Sequence, residues 1–116
     1  MSDCVFCKIV KGELPAKVVY EDDLIMAFHD KNPQRKVHVL VIPKKHIASM
    51  NDLTEEDKDL MGHLMVKIPE IAKKLGVDKD GYRLIVNTGK HGGQEIYHVH
   101  FHLLGGEPVG PMVCRK

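Results

Sequence analysis

The sequence predicts an α+β fold: an antiparallel sheet of about five strands, one long helix and a short N-terminal helix. Three observations carry this. Apolar residues recur at three- and four-residue steps over one long stretch, Leu60 to Leu75. Shorter runs with strand character lie on both sides of it. The links between runs are short, as antiparallel pairing allows. The 116 residues make one domain, 1–116.

Cys4 to Val10 places Val5, Phe6, Ile9 and Val10 at helical spacing, with Gly12 and Pro15 ending the turn. Val18 to Tyr20 and Leu24 to His29 read as a hairpin around Glu21-Asp22-Asp23. Asn32-Pro33 marks a turn. Val37 to Ile42 is a near-continuous β-branched run, the pattern of a strand buried on both faces, and Pro43 should stop it. Thr54 is the expected cap of the long helix, since its hydroxyl can accept from a free amide and Glu55, Glu56 and Asp57 suit the positive helix end. The helix presents Leu60, Met61, Leu64, Met65, Ile68, Ile71, Ala72 and Leu75 on one face, and Gly76 ends it. Pro69 falls inside and should kink it. Tyr82 to Asn87 is a strand, Thr88 to Gly93 a polar loop, and Ile96 to Leu104 the last strand.

Charge excludes some functions. Lys and Arg number 17 against 16 Asp and Glu, a net charge of +1, so a polyanion-binding surface is not expected. With 3 Phe, 3 Tyr and no Trp, a base-stacking platform is not expected either. Nucleic acid is therefore not an expected partner. The longest apolar stretch, Val39 to Pro43, is far too short for a membrane span, so no membrane role is expected. Met-Ser-Asp-Cys has no signal-peptide character. Three cysteines form no disulfide framework, and a cytoplasmic protein with reduced thiols is expected. Cys114 sits in a polar tail and is expected to be unimportant.

The informative segment is Tyr97-His98-Val99-His100-Phe101-His102-Leu103-Leu104. Side chains alternate along a strand, so His98, His100 and His102 share one face and Val99, Phe101 and Leu103 take the other. With 8 histidines in the chain, such a spacing arises by chance with a probability of about 0.04. Same-face residues lie about 6.6 Å apart along a strand, so three in a row converge poorly on one ion. Separate roles fit better: one imidazole as nucleophile, a neighbour moving protons, and backbone donors holding an anion. Asn87-Thr88-Gly89-Lys90-His91-Gly92-Gly93-Gln94 suits the last task, because glycines admit a ligand close to the backbone. The same glycines equally suit a plain turn. Cys4-Val5-Phe6-Cys7 reads as two ordinary thiols, a redox pair, or half of a tetrahedral zinc site. Zinc would need two histidines, with His46 and His98 as candidates that spacing alone does not select.

These residues resemble a known family. His98-Val99-His100-Phe101-His102-Leu103-Leu104 matches the histidine-triad pattern, His-x-His-x-His followed by two apolar residues. Phe6-Cys7-Lys8-Ile9, Glu13-Leu14-Pro15, Ala27-Phe28-His29-Asp30, Ile42-Pro43-Lys44-Lys45-His46-Ile47 and Gly92-Gly93-Gln94 look like its purine phosphoramidase branch. The resemblance covers nearly the whole chain. It implies a homodimer with the sheet continued across the interface. It implies hydrolysis of the P–N bond of purine nucleoside 5′-phosphoramidates through a nucleotidyl-histidine intermediate on His100. His102 should contact the phosphate and aid proton transfer, the His98 carbonyl should fix the nucleophile's tautomer, and His38 should join the network. Asn87, Gly93, Gln94 and Glu95 should lie along the phosphate and leaving group. Asp30 should hold the ribose, and Phe6, Ile9, Phe28 and Leu40 the base.

In some relatives two N-terminal cysteines and two histidines bind zinc. The matching set is Cys4, Cys7, His46 and His98, a structural site with no catalytic task. Three departures bear on specificity. Glu95 stands where some relatives have serine near the leaving group, and Lys31 where some have an apolar residue near the base. Glu107 to Lys116 lacks the aromatic residue that shapes the partner's pocket in some members. The resemblance leaves two neighbouring activities in view, dinucleoside polyphosphate hydrolysis and nucleotidyl transfer. A nucleotide-binding interaction protein is a third reading, and the one that does not require a nucleophile at His100.

Overall fold

The computed structural model describes residues 3–113, so Cys114 and its expected unimportance lie outside the described residues. Five strands form one antiparallel sheet: β1 (Val18–Glu21), β2 (Ile25–His29), β3 (Val37–Pro43), β4 (Tyr82–Ile85) and β5 (Phe101–Gly105). Their order is β1-β2-β3-β5-β4, with β3 in the centre. The helices are α1 (Val5–Val10), α2 (Lys58–Lys74) and the short α3 (Gly89–Gly92).

The sheet has two different faces because strand side chains alternate. Ile25, Ala27, Val39, Val41, Phe101 and Leu103 point into a core with Leu64, Ile68, Ile71 and Ala72 of α2. Met26, Phe28, Leu40 and Ile42 point the other way and pack against Phe6 and Ile9 of α1. His38 has the parity of Leu40, and His102 lies directly opposite Leu40. The reading of β3 as buried on both faces is thus borne out: every residue after Val37 is buried.

Several boundaries differ from expectation, each for a local reason. The strand predicted over Ile96 to Leu104 begins only at Phe101. Val41 is the last β3 residue to pair with it, opposite Phe101, and the Val99 amide instead donates to the Ile47 carbonyl at 2.6 Å. His98 and His100 therefore precede the ladder, although Val99, Phe101 and Leu103 all reach the α2 core as the alternation requires. β3 does stop at Pro43, which is itself the last strand residue and pairs with Ile25 of β2. β4 stops at Ile85, short of Asn87. The loop predicted at Thr88 to Gly93 contains α3, capped by Gly93 at φ 80°, a left-handed conformation that glycine adopts without a Cβ clash.

Thr54 caps a 3₁₀ turn, Glu55–Asp57, which leads straight into α2. The Thr54 amide donates to the Asp57 carboxylate at 3.0 Å, and Lys45 Nζ reaches the same carboxylate at 2.6 Å. That ammonium and the Thr54 amide hold the Asp57 carboxyl below its ordinary range. α2 runs through Pro69 without a break. Gly76, at φ 76°, ends it, and the Val77 amide returns to the Ala72 carbonyl at 3.0 Å. Met65, predicted on the buried face, is 40% exposed.

Candidate active site and metal centre

Two side-chain clusters lie on the α1 face of the sheet. The first joins Asp30, His38 and His102. His38 and His102 are diagonal neighbours on β3 and β5, close enough for imidazoles to meet. His38 Nε2 stands 2.9 Å from His102 Nδ1 and 3.4 Å from an Asp30 carboxylate oxygen. The Gln34 amide donates to His38 Nδ1 at 3.0 Å. A backbone N–H can only donate, so His38 Nδ1 is the bare nitrogen and Nε2 carries the proton. His38 Nε2–H then donates to the bare Nδ1 of His102, which places the one N–H of His102 at Nε2.

His100 is fixed the other way round. Its Nδ1 donates to the His98 carbonyl at 2.7 Å, so its Nε2 carries the lone pair. Among the described residues that nitrogen has no hydrogen-bond partner. Among the described residues no buried side-chain nitrogen or oxygen lacks one, so His100 Nε2 opens to solvent although the residue is buried. The His100 and His102 ring centroids are 5.0 Å apart. Burial, then the neighbouring His100 and His38, lowers His102 to about 4. Burial also lowers His38, against the pull of Asp30. His38 and His102 are thus neutral near neutral pH, and the open lone pair of His100 stands beside an N–H donor.

The second cluster is Cys4, Cys7, His46 and His98, whose ligating atoms all lie within 4.8 Å of one another. Cys4 Sγ is 3.3 Å from His98 Nδ1, Cys7 Sγ 3.3 Å from His46 Nδ1, and Cys7 Sγ 3.6 Å from His98 Nδ1. Around a tetrahedral zinc, sulfur and nitrogen ligands lie about 3.6 Å apart, so the donors fit that ion. The outer contact fits as well. His98 Nε2 donates to the Pro43 carbonyl at 2.8 Å, which leaves Nδ1 bare and facing the thiols. Burial, then the Cys4 thiol, pushes the Cys7 thiol up, which disfavours a reactive redox pair. A cation bound here would reverse that preference.

The other site residues expected from sequence are distributed as follows. Phe6, Ile9, Phe28 and Leu40 come together in one buried apolar cluster. Asp30 turns one carboxylate oxygen to His38 and accepts the Asn32 amide on the other. Gln94 is buried, and its side chain ties the loop together through the Gly89 amide and the Ala48 and Ile96 carbonyls. Asn87 and Gly93 flank α3, and Glu95 is exposed beside an open cavity of about 440 Å³ shared with Asp3, Val5 and Tyr97. Sequence reasoning missed the Gln34 amide and the Pro43 carbonyl. Both act through main-chain atoms, which no residue type announces.

Known proteins resemble this architecture closely. Residues 11–109 match the HIT domain family. The chain belongs to the HIT family. It is 46% identical over 114 residues to the purine nucleoside phosphoramidase of Escherichia coli strain K12, covering 98% of this chain and 96% of that protein. A histidine triad protein structure from Clostridium difficile superimposes with a TM-score of 0.93 at 45% identity, covering 97% and 98% of the two chains. A HIT family hydrolase from Legionella pneumophila gives a TM-score of 0.90 at 47% identity, covering 93% and 96%. This HIT chain therefore sits in the phosphoramidase branch and is an enzyme.

Proposed function

We propose that this HIT protein hydrolyses the P–N bond of purine nucleoside 5′-phosphoramidates. One observation carries the reading: His100 is locked at Nδ1 by the His98 carbonyl, so its Nε2 lone pair is open to solvent next to His102. Binding alone does not call for such a nitrogen. The 46% identity to a protein named purine nucleoside phosphoramidase supports the choice of substrate.

His100 Nε2 attacks the α-phosphorus, the P–N bond breaks, and a nucleotidyl-histidine forms. Water then cleaves the new P–N bond and restores the lone pair. The proton taken up by the departing amine is returned by that water, so the site ends unchanged. His102 donates its Nε2–H to the phosphate and aids this transfer, with His38 behind it. His98 serves the reaction through its carbonyl. Asp30 binds the ribose hydroxyls, and Phe6, Ile9, Phe28 and Leu40 receive the base. Asn87, Gly93, Gln94 and Glu95 line the phosphate and leaving group. Cys4, Cys7, His46 and His98 hold zinc, which supplies cross-linking of the N-terminal segment to the sheet.

The chain acts as a single domain in a homodimer. Among the described residues β1 and β4 are the edge strands, and a second copy continues the sheet at one of these edges. It works in the cytoplasm without nucleic-acid or membrane partners; among the described residues no helix is long and apolar enough to cross a membrane.

Phosphorus NMR of adenosine 5′-phosphoramidate with wild type and His100→Ala tests the reaction. Wild type alone should form AMP, with the variant folded and at least about a thousandfold slower. Equal rates, or preferential turnover of a dinucleoside polyphosphate, would sink the reading.

A further inference from the structure

The metal centre and the histidine site are not separate. Cys4 and Cys7 flank Phe6 in the sequence, and the Phe6 ring meets both His98 of the metal centre and His100. Its centroid is 5.8 Å from that of His98 and 5.1 Å from that of His100, edge-on in each case at 74° and 84°. It also meets Phe28 edge-on at 5.5 Å. His98 makes the second link. Its Nδ1 faces the thiols, and its carbonyl holds His100.

α1 has little else to hold it. Six residues are too few for a helix to persist unaided in water. Among the described residues, the main-chain hydrogen bonds of 4–13 all close within that segment. Its polar side-chain attachments to the rest of the chain are the Cys4 and Cys7 thiols. The remaining attachment is apolar packing, centred on Phe6 and Ile9. Metal binding would therefore order the segment that carries Phe6 to the nucleophile's ring. Nucleotide seated against Phe6 would, in turn, order the segment that carries the two cysteines.

We infer that metal occupancy at Cys4, Cys7, His46 and His98 and nucleotide occupancy at the histidine site are thermodynamically coupled, with Phe6 as the positioning residue that couples them. This rests on the nucleotide and zinc reading above. Coupling of this kind is reciprocal: the factor by which zinc tightens AMP equals the factor by which AMP tightens zinc. A role for Phe6 as a simple wall of the base pocket predicts no such factor.

The experiment measures both arms. AMP binding is followed by calorimetry with the zinc-loaded and chelator-stripped protein. Zinc affinity is followed by competition with a chelator, with and without AMP, which needs only the loaded protein. The expected factor is about tenfold in each arm for wild type. Phe6→Ala, or Phe6→Leu should the first fail to fold, should still load zinc and bind AMP more weakly. In that variant both factors should fall well below the wild-type value, leaving only the share carried through His98. A wild-type factor of one, or a full factor retained in both Phe6 variants, overturns the inference while leaving the nucleotide reading intact. A loaded protein that does not bind AMP overturns the nucleotide reading itself, and one that takes up no zinc overturns the metal reading; either removes this inference with it.

Discussion

Each of the two clusters holds two histidines, and in each a main-chain atom behind one imidazole, His98 or His38, decides what it does. Behind His98 stands the Pro43 carbonyl, an acceptor, so the proton sits on Nε2 and the bare Nδ1 faces two thiols. Behind His38 stands the Gln34 amide, a donor, so the bare nitrogen points backward and an N–H points forward to His102. The first arrangement suits a cation. The second passes hydrogen bonds forward, and a metal there would have to displace the proton that the amide fixes on Nε2. Asp30, His38 and His102 are thus close enough for a metal site in distance alone but are wired as a relay. Proximity nominates a site, and the tautomer decides its chemistry.

The largest way to break this comparison is to remove the cation. With free zinc at about a thousandfold over its dissociation constant, loading should add about 4 kcal/mol to the unfolding free energy. Chelation should remove it, and Cys7→Ser should make urea melts insensitive to chelator. A wild type whose melts ignore both zinc and chelator would leave the Cys4, Cys7, His46 and His98 cluster without its assigned task.

A smaller effect comes from protons on the Asp30, His38 and His102 cluster. An unfolded histidine titrates near 6.5 and folded His102 at about 4. Between these values the unfolded chain binds the extra proton, so this contribution is complete above about pH 6.5 and is lost as pH falls toward about 4. The loss attributable to His102 between about pH 7 and about pH 5 is about 2 kcal/mol. His38 is lowered too and adds in the same direction. Urea melts at both pH values, on wild type and His102→Gln, check this; the variant should be flatter by about that amount.

The smallest effect sharpens the tautomer argument. Nitrogen-15 NMR of the imidazoles should show His38 and His102 protonated at Nε2, and His100 alone of the three at Nδ1. Gln34→Pro deletes the amide that fixes His38. It should move His38 and His102 toward Nδ1–H and lower kcat about tenfold, near 1.4 kcal/mol, with KM changed less. An unchanged nitrogen spectrum would show that Asp30, and not Gln34, sets the relay.

Much of the fold was legible because patterning and local chemistry agree. The long helix, its Thr54 start and Gly76 stop, the buried β3 run and the β1–β2 hairpin each declare themselves in a few residues. Met65 was misread because an eight-residue list of three- and four-step positions covers more of the helix than the sheet can cover. The last strand was read too long for a different reason. Alternation of side chains continues through Val99, but the ladder needs a paired backbone, and beyond Val41 and Phe101 the Val99 amide turns to Ile47. Alternation records where side chains go, not whether hydrogen bonds follow.

The sequence by itself determined the candidates for chemistry, the three triad histidines and the CxxC pair, and the parity that sends Val99, Phe101 and Leu103 to the core. It also determined the family, because the motifs run nearly from end to end. Only the tertiary structure decided how these residues divide between two sites. Cys4 meets His98 across 94 positions of chain, and His38 meets His102 across 64. Main-chain partners then fix each proton, and those partners, Gln34, Pro43 and the His98 carbonyl, are set by backbone placement that side-chain identity does not encode.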